Sequence, residues 1–183
     1  MGEDPEKRAI RDDYIEFGPQ EFYAEQGSHY RNPHEDAIGS TLALCQREWS
    51  LDLTQVLDLA CGSGEATLAL QKLGAEDVEG ADPYTGEAYL QRTGQEALPL
   101  TFEQIAAGEL GESSYRLIVC SYALHLLAPS RLPTLLWQLA NHAPNLLILS
   151  PHKRPVIQND WGWRLRSELY HQRVRARLFE RDP

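Results

Sequence analysis

The sequence is poor in cysteine, in long apolar runs and, over its first 150 positions, in basic residues. Its three cysteines, Cys45, Cys61 and Cys120, stand apart without paired spacing, which excludes a disulfide framework and a zinc-ligand pattern. No apolar stretch approaches the roughly 18 residues of a membrane span. The start, Met1-Gly2-Glu3-Asp4-Pro5-Glu6, is acidic and lacks the apolar core of a secretion signal. These absences predict a reducing, cytoplasmic setting, with the nucleus second, and neither membrane nor metal. Repeats, low-complexity segments and linkers are also missing. Residues 1–150 hold 9 Lys/Arg against 23 Asp/Glu, while 151–183 hold 8 against 4. A body this acidic is a poor general surface for nucleic acid, whose binding rests on phosphate contacts; the locally basic tail is the exception.

What is present is an ordinary globular composition, 42% hydrophobic and 24% charged over 183 residues, enough for one domain with a sizeable core. Residues 5–16 have the polarity of an amphipathic helix ended by Gly18-Pro19. Asn32-Pro33-His34-Glu35 reads as a helix start, Asn32 capping and Pro33 at the first helical position, for a helix running to about Trp49. Short strands are expected at Val56–Leu59, Val78–Ala81, Leu98–Phe102, Tyr115–Ser121 and Asn145–Ser150, with helical spacing between them, most clearly over Leu132, Leu135, Leu136 and Leu139. Alternating strands and helices imply an α/β, doubly wound, mostly parallel sheet with helices on both faces. Residues 160–171 read as a helix. Val174, Ala176 and Leu178 alternate with Arg173, Arg175 and Arg177 as in a strand at or near an edge.

The chemistry concentrates in Asp58-Leu59-Ala60-Cys61-Gly62-Ser63-Gly64-Glu65. Two glycines at a strand-to-helix turn let the backbone adopt positive φ and a ligand lie against it, before a helix N-terminus. Asp82 ends the next strand about twenty residues on, where α/β folds place a ribose-binding acid. Thr67 stands where a dinucleotide loop has its third glycine. Acids on both sides of the loop disfavour a pyrophosphate and suit a ligand carrying an ammonium and a sulfonium, the charges of S-adenosylmethionine.

On these residues the chain, over roughly 55–150, resembles the class I, Rossmann-like S-adenosylmethionine-dependent methyltransferases. The resemblance implies that Gly62 and Gly64 allow close backbone approach. It gives Asp58 the methionine ammonium through water, and Asp82 the ribose hydroxyls. Ala60, Pro83 and Ser121, beside them, complete the strand-end set. Glu103, or Gln104, would accept from the adenine amino group, with Ile105 on the ring. It also divides the single domain into an N-terminal helical lid (1–49), a cofactor-binding core (50–150) and a substrate-side segment (151–183). The resemblance further implies a C-terminal antiparallel pair of strands, which is shortened to a single strand here unless 160–171 is not a helix. Within the lid, Tyr30 and Arg31 are cofactor candidates, Arg31 as a bidentate partner of the carboxylate.

For catalysis the candidates are His125, in Ser121-Tyr122-Ala123-Leu124-His125, and His152, in Pro151-His152-Lys153-Arg154-Pro155; a near-neutral imidazole can take a proton from an attacking group. Simpler readings stand beside these: capping acids at 58 and 82, a packed imidazole at 125, and a solvated edge-strand face for Arg173, Arg175 and Arg177. Trp161 and Trp163 next to the basic loop suggest acceptor stacking. The acceptor is a small molecule or protein in preference to RNA, which residues 152–177 could meet, and a partner protein is another expectation. No Asn/Asp-Pro-Pro-Tyr follows the fourth strand, and Cys120 follows Val119 rather than proline, which disfavours adenine amino and cytosine C5 methylation. A cofactor-binding scaffold without turnover remains open, as does a nucleotide-dependent oxidoreductase, which Thr67 disfavours.

Overall fold

In the computed structural model, which describes residues 27–183, the continuous apolar runs have become the middle of a sheet. The helix expected over 5–16, with the Gly18-Pro19 that ends it, lies outside the described residues. Glu35–Trp49 (α1), Val56–Leu59 (β1), Glu65–Lys72 (α2), Val78–Ala81 (β2), Gly86–Thr93 (α3) and Phe102–Ala106 (α4) form the first half. Leu117–Ser121 (β3), Leu132–Ala140 (α5), Asn145–Ser150 (β4), Trp163–His171 (β5) and Val174–Arg181 (β6) form the second, with 3-10 turns at Leu124–Leu126, Pro129–Arg131 and Asn159–Trp161. The sheet runs β2-β1-β3-β4-β6-β5. Its first four strands are parallel, and β6 is antiparallel to both neighbours.

Each parallel strand buries both faces. Leu57, Leu59, Ile118, Cys120, Leu146 and Ile148 pack with α4 and α5. Val56, Leu117, Val119, Leu147 and Leu149 meet Ile38, Leu42 and Cys45 of α1 and Ala66 and Leu70 of α2. Each fully buried aliphatic side chain contributes about 2 kcal/mol of transfer free energy, so the doubly wound sandwich, helices on both faces, follows from unbroken apolar strands.

Four local expectations change. Helix α1 begins at Glu35 rather than Pro33: the Asn32 side chain accepts from His34 N at 2.9 Å, closing a turn before the helix. The strand expected at Leu98–Phe102 is one bridge, Ala81 to Leu98. Pro99 has no N–H to extend the ladder, and Thr101 with Gln104 forms a capping box that starts α4. The helix expected over 160–171 is instead strand β5, opened by Gly162 at φ 88; Arg164, Glu168 and Tyr170 alternate with Trp163, Ser167 and Leu169, the period of a strand. The antiparallel pair is therefore complete, and β6 is interior, with β5 at the edge. Arg177 accordingly is buried, not a solvated edge charge, and its Nη1 donates to Pro155 O at 2.6 Å. Burial pushes its guanidinium pKa down.

Candidate functional site

Parallel α/β sheets leave a crevice at the carboxyl ends of their strands where adjacent connections diverge to opposite faces. Here a cavity of about 360 Å³ opens there, walled by the ends of β1, β2 and β3, by Tyr30 and Asn32, and by Phe102, Leu126 and Leu127. That volume lies within the range of small-ligand sites. Its base is the β1–α2 loop. Gly62 has φ 56, and a Cβ there would come within 3.1 Å of the Tyr30 ring and 3.2 Å of Glu65 Oε2. The Gly62 N–H donates to Asp82 Oδ2 at 3.2 Å, while its carbonyl accepts from Thr85 Oγ1 at 2.7 Å. Asp82 Oδ1 accepts from the N–H groups of Tyr84 and Thr85, at 2.9 and 3.1 Å. Two non-glycine residues of the wall, Ala60 and Tyr122, also lie at φ 56. Such backbone costs roughly 1 kcal/mol per residue and clusters at ligand sites.

Of the sequence-expected residues, Ala60, Gly62, Asp82, Pro83, Glu103, Ser121 and Tyr30 meet on this cavity. Asp58 and Gly64 lie behind the wall. Gly64, at φ 90, caps α2, and a Cβ on it would sit 2.6 Å from Thr93. Asp58 is fully buried. Its Oδ2 accepts from Thr67 N at 3.0 Å and from Thr67 Oγ1 at 2.7 Å, and its Oδ1 has no partner. Desolvation, opposed by Thr67 and reinforced by Glu65 and Asp82, pushes its pKa up to about 7. Burial likewise raises Asp82, against the backbone and Thr85 hydrogen bonds that lower it. An orphaned carboxylate oxygen, with Glu65 and Asp82 close enough to raise its pKa, fits a cationic ligand such as the expected ammonium and disfavours a pyrophosphate.

Gln104 and Ile105 lie outside the cavity wall: Gln104 is spent on the capping box and on Glu109, and Ile105 is wholly buried in the core. Glu103 stays at the mouth, paired with Arg131; hydrogen bonding from its own backbone and from Arg131 holds its carboxyl below the usual range. Arg31 is exposed and off the wall. His125 and His152 are also off the wall but beside one another, rings edge-on with centroids 5.5 Å apart. Trp163, expected at the acceptor side, is a core residue whose Nε1 donates to Leu136 O at 2.8 Å, and Trp161 packs against the same core.

Glu65, read in the sequence only as an acid flanking the loop, also fastens its neighbours, and Arg92 carries no signal there at all. Glu65 Oε1 accepts from Asn32 N at 2.8 Å and from Ser63 Oγ at 2.5 Å. Arg92 of α3 donates to Ser63 O and Oγ, and pairs with Glu35 at 2.5 Å and Glu65 at 3.4 Å. No local pattern announces Arg92, since its partners are 57 and 29 residues away. Tyr122, on the wall, stacks on His34 with centroids 4.8 Å apart. Among the described residues no cluster of His, Cys, Asp or Glu is placed to hold a metal, and no helix is long and apolar enough to cross a membrane.

A methyltransferase-domain family model matches residues 56–143. An uncharacterized protein of Schizosaccharomyces pombe is 33% identical, the match covering 85% of this chain and 79% of that protein. Among solved structures, magnesium protoporphyrin IX methyltransferase from Synechocystis PCC 6803 with bound S-adenosylmethionine superposes with a TM-score of 0.61 at 19% identity, covering 94% of this chain and 95% of that one. A TehB-like S-adenosylmethionine-dependent methyltransferase from Corynebacterium glutamicum gives 0.59 at 16% identity, covering 93% and 100%. At these identities the superpositions speak for the fold.

Proposed function

Because this chain belongs to the class I S-adenosylmethionine-dependent methyltransferases, we propose that it transfers the methyl group of that cofactor to a small molecule or protein. On this reading the cavity at the ends of β1, β2 and β3 is where the transfer occurs. The observation that carries the reading is the convergence of Gly62 and Asp82 on one wall, each holding the other by a backbone-to-carboxylate hydrogen bond. Asp82 would receive the ribose hydroxyls. The Ala60–Gly62 backbone would lie along the cofactor, with Pro83 and Ser121 at its sides and Glu103 toward the base. Asp58, behind the wall, would reach the ammonium through water from its unpartnered Oδ1, and Tyr30 over Gly62 would close the site from above.

The bound cofactor supplies an electrophilic methyl on a sulfonium. The chain's own task is to exclude water and orient an acceptor, because in-line displacement depends on near-attack geometry. The rigid, hydrogen-bonded loop and the apolar wall of Phe102, Leu126 and Leu127 serve that task. If a general base takes part, the paired rings of His125 and His152 are the candidates.

Calorimetric titration with S-adenosylmethionine and S-adenosylhomocysteine, beside Asp82→Ala, tests the reading. Micromolar-range binding that the variant loses by at least about tenfold, roughly 1.4 kcal/mol, is expected; equal affinity in the two proteins would remove Asp82 from the site.

A further inference from the structure

The basic tail separates into two groups according to its partners. At the far end of the sheet, Arg164 and Arg166 pair with Glu180 and Asp182. Arg177 and Arg181 donate to the carbonyls of Pro155 and Ala140. Arg175 pairs with Glu168 at 2.5 Å. Lys153, Arg154 and Arg173 remain, exposed and with no acidic partner among the described residues.

The strand register brings these three to one end. Ser150 pairs with Arg175 across β4 and β6, and Tyr170 with Arg175 across β5 and β6. The β5–β6 turn holding Arg173 therefore projects from the same end of the sheet as residues 151–155, the carboxyl end of β3 and β4, at which the cavity also opens.

Both segments are fastened. Ser150 Oγ accepts from His152 N at 3.1 Å and donates to Arg154 O at 3.0 Å, and Arg177 holds Pro155 O. On the turn, Gln172 Oε1 accepts from Ser40 Oγ of α1 at 2.9 Å. The cations are thus presented on pinned backbone, which lowers the ordering cost of binding. A protein of net charge −10 gains nothing in solubility from three uncompensated cations at the cleft end of its sheet.

We propose that the methyl acceptor is a compact anion, bearing a phosphate or carboxylate group, received by Lys153, Arg154 and Arg173; this rests on the methyltransferase reading above. The acidic remainder of the surface favours a compact anion over a long polyanion, which would extend past the patch onto like charge.

The test uses the full chain saturated with S-adenosylhomocysteine and followed by amide NMR during titration with pyrophosphate, citrate and a ten-nucleotide oligouridylate. Saturable shifts at 152–154 and 172–174 are expected with pyrophosphate or citrate, the tighter of the two identifying phosphate or carboxylate. The combined Lys153→Glu, Arg154→Glu, Arg173→Glu variant should lose about tenfold or more in that affinity while keeping its S-adenosylhomocysteine affinity. If that variant does not fold, Lys153→Gln alone should lose about threefold. Absence of saturable shifts, or unchanged affinity in the variants, overturns the proposal. So does tighter binding of the oligouridylate with a logarithmic salt slope near −2, about that of three neutralised phosphates on a single strand, which would make the acceptor RNA. Failure of wild type to bind S-adenosylhomocysteine would strike the cofactor reading alone, and the anion titration is then read on the free protein.

Discussion

Arg92 of α3 meets Glu35, in the first turn of α1, at 2.5 Å, and with the same guanidinium holds Ser63 of the glycine loop at 3.0 Å. One side chain thus ties α1 and α3 to the glycine loop at the base of the cavity. It also faces Glu65, which is only 4% exposed.

Arg92→Met should therefore do more than remove a surface ion pair. Leaving Glu65 buried without its cation costs about 2–4 kcal/mol, readable as a lower midpoint in urea denaturation. The loop and the Tyr30–Asn32 strap, which Glu65 holds through Asn32 N, lose their shared tether. S-adenosylhomocysteine affinity should fall about tenfold by calorimetry even at temperatures where the variant is fully folded.

At Gly62 the constraint is conformational as well as spatial. With φ 56 and the Tyr30 ring 3.1 Å from where a Cβ would stand, Gly62→Ala should cost about 1 kcal/mol of stability. It should cost much more in cofactor binding, because the methyl enters the cavity. Thermal denaturation with and without S-adenosylhomocysteine separates the two: the variant's ligand-induced rise in Tm should be largely lost.

Gly80, in β2, has no special backbone, yet a Cβ there would lie 2.5 Å from Tyr89 Cζ and 2.7 Å from its hydroxyl. Overpacking of this kind costs about 1–3 kcal/mol. Gly80→Ala should be destabilised by that amount and Tyr89→Leu should restore some of it, a coupling that a double-mutant cycle in denaturant measures directly.

Asp58 gives the pH dependence its sign. Its carboxyl, raised to about 7 chiefly by desolvation, holds its proton in the folded chain where the unfolded chain has already released it. The stability this contributes is fully present below the ordinary carboxylate range near 4, and is lost as pH rises from there through about 7. Asp58→Asn should flatten that region of the stability profile. Binding of an ammonium-bearing cofactor runs the other way: affinity should rise with pH through 7 and release protons, seen as a buffer-dependent calorimetric enthalpy, and the variant should lose both effects.

The central parallel strands are legible in the sequence because residues such as Ile118, Val119 and Leu147 sit in unbroken apolar runs, which only a doubly covered sheet satisfies. The glycine loop and Asp82 are legible because backbone chemistry restricts what can stand there. The C-terminal strand β5 reads as a helix although Arg164, Glu168 and Tyr170 alternate with Trp163 and Leu169. The register shift between Leu165 and Ser167, with Leu165 left 48% exposed, breaks the alternation just where a period must be counted. Ile105 and Trp163 read as ligand contacts because an aromatic or aliphatic residue near a strand end carries the same signature whether it faces a cavity or the core. Arg92 and the pairing of His125 with His152 depend on tertiary proximity, which no local spacing encodes.

The antiparallel insertion of β6 between β4 and β5 also fixes an order of assembly. Strand β5 precedes β6 in the chain, yet among the described residues its only strand neighbour is β6, so it has no docking edge there until the later strand is laid against β4. The two must join the sheet as a preformed hairpin or wait for each other, and a lesion anywhere in β6 removes two strands rather than one.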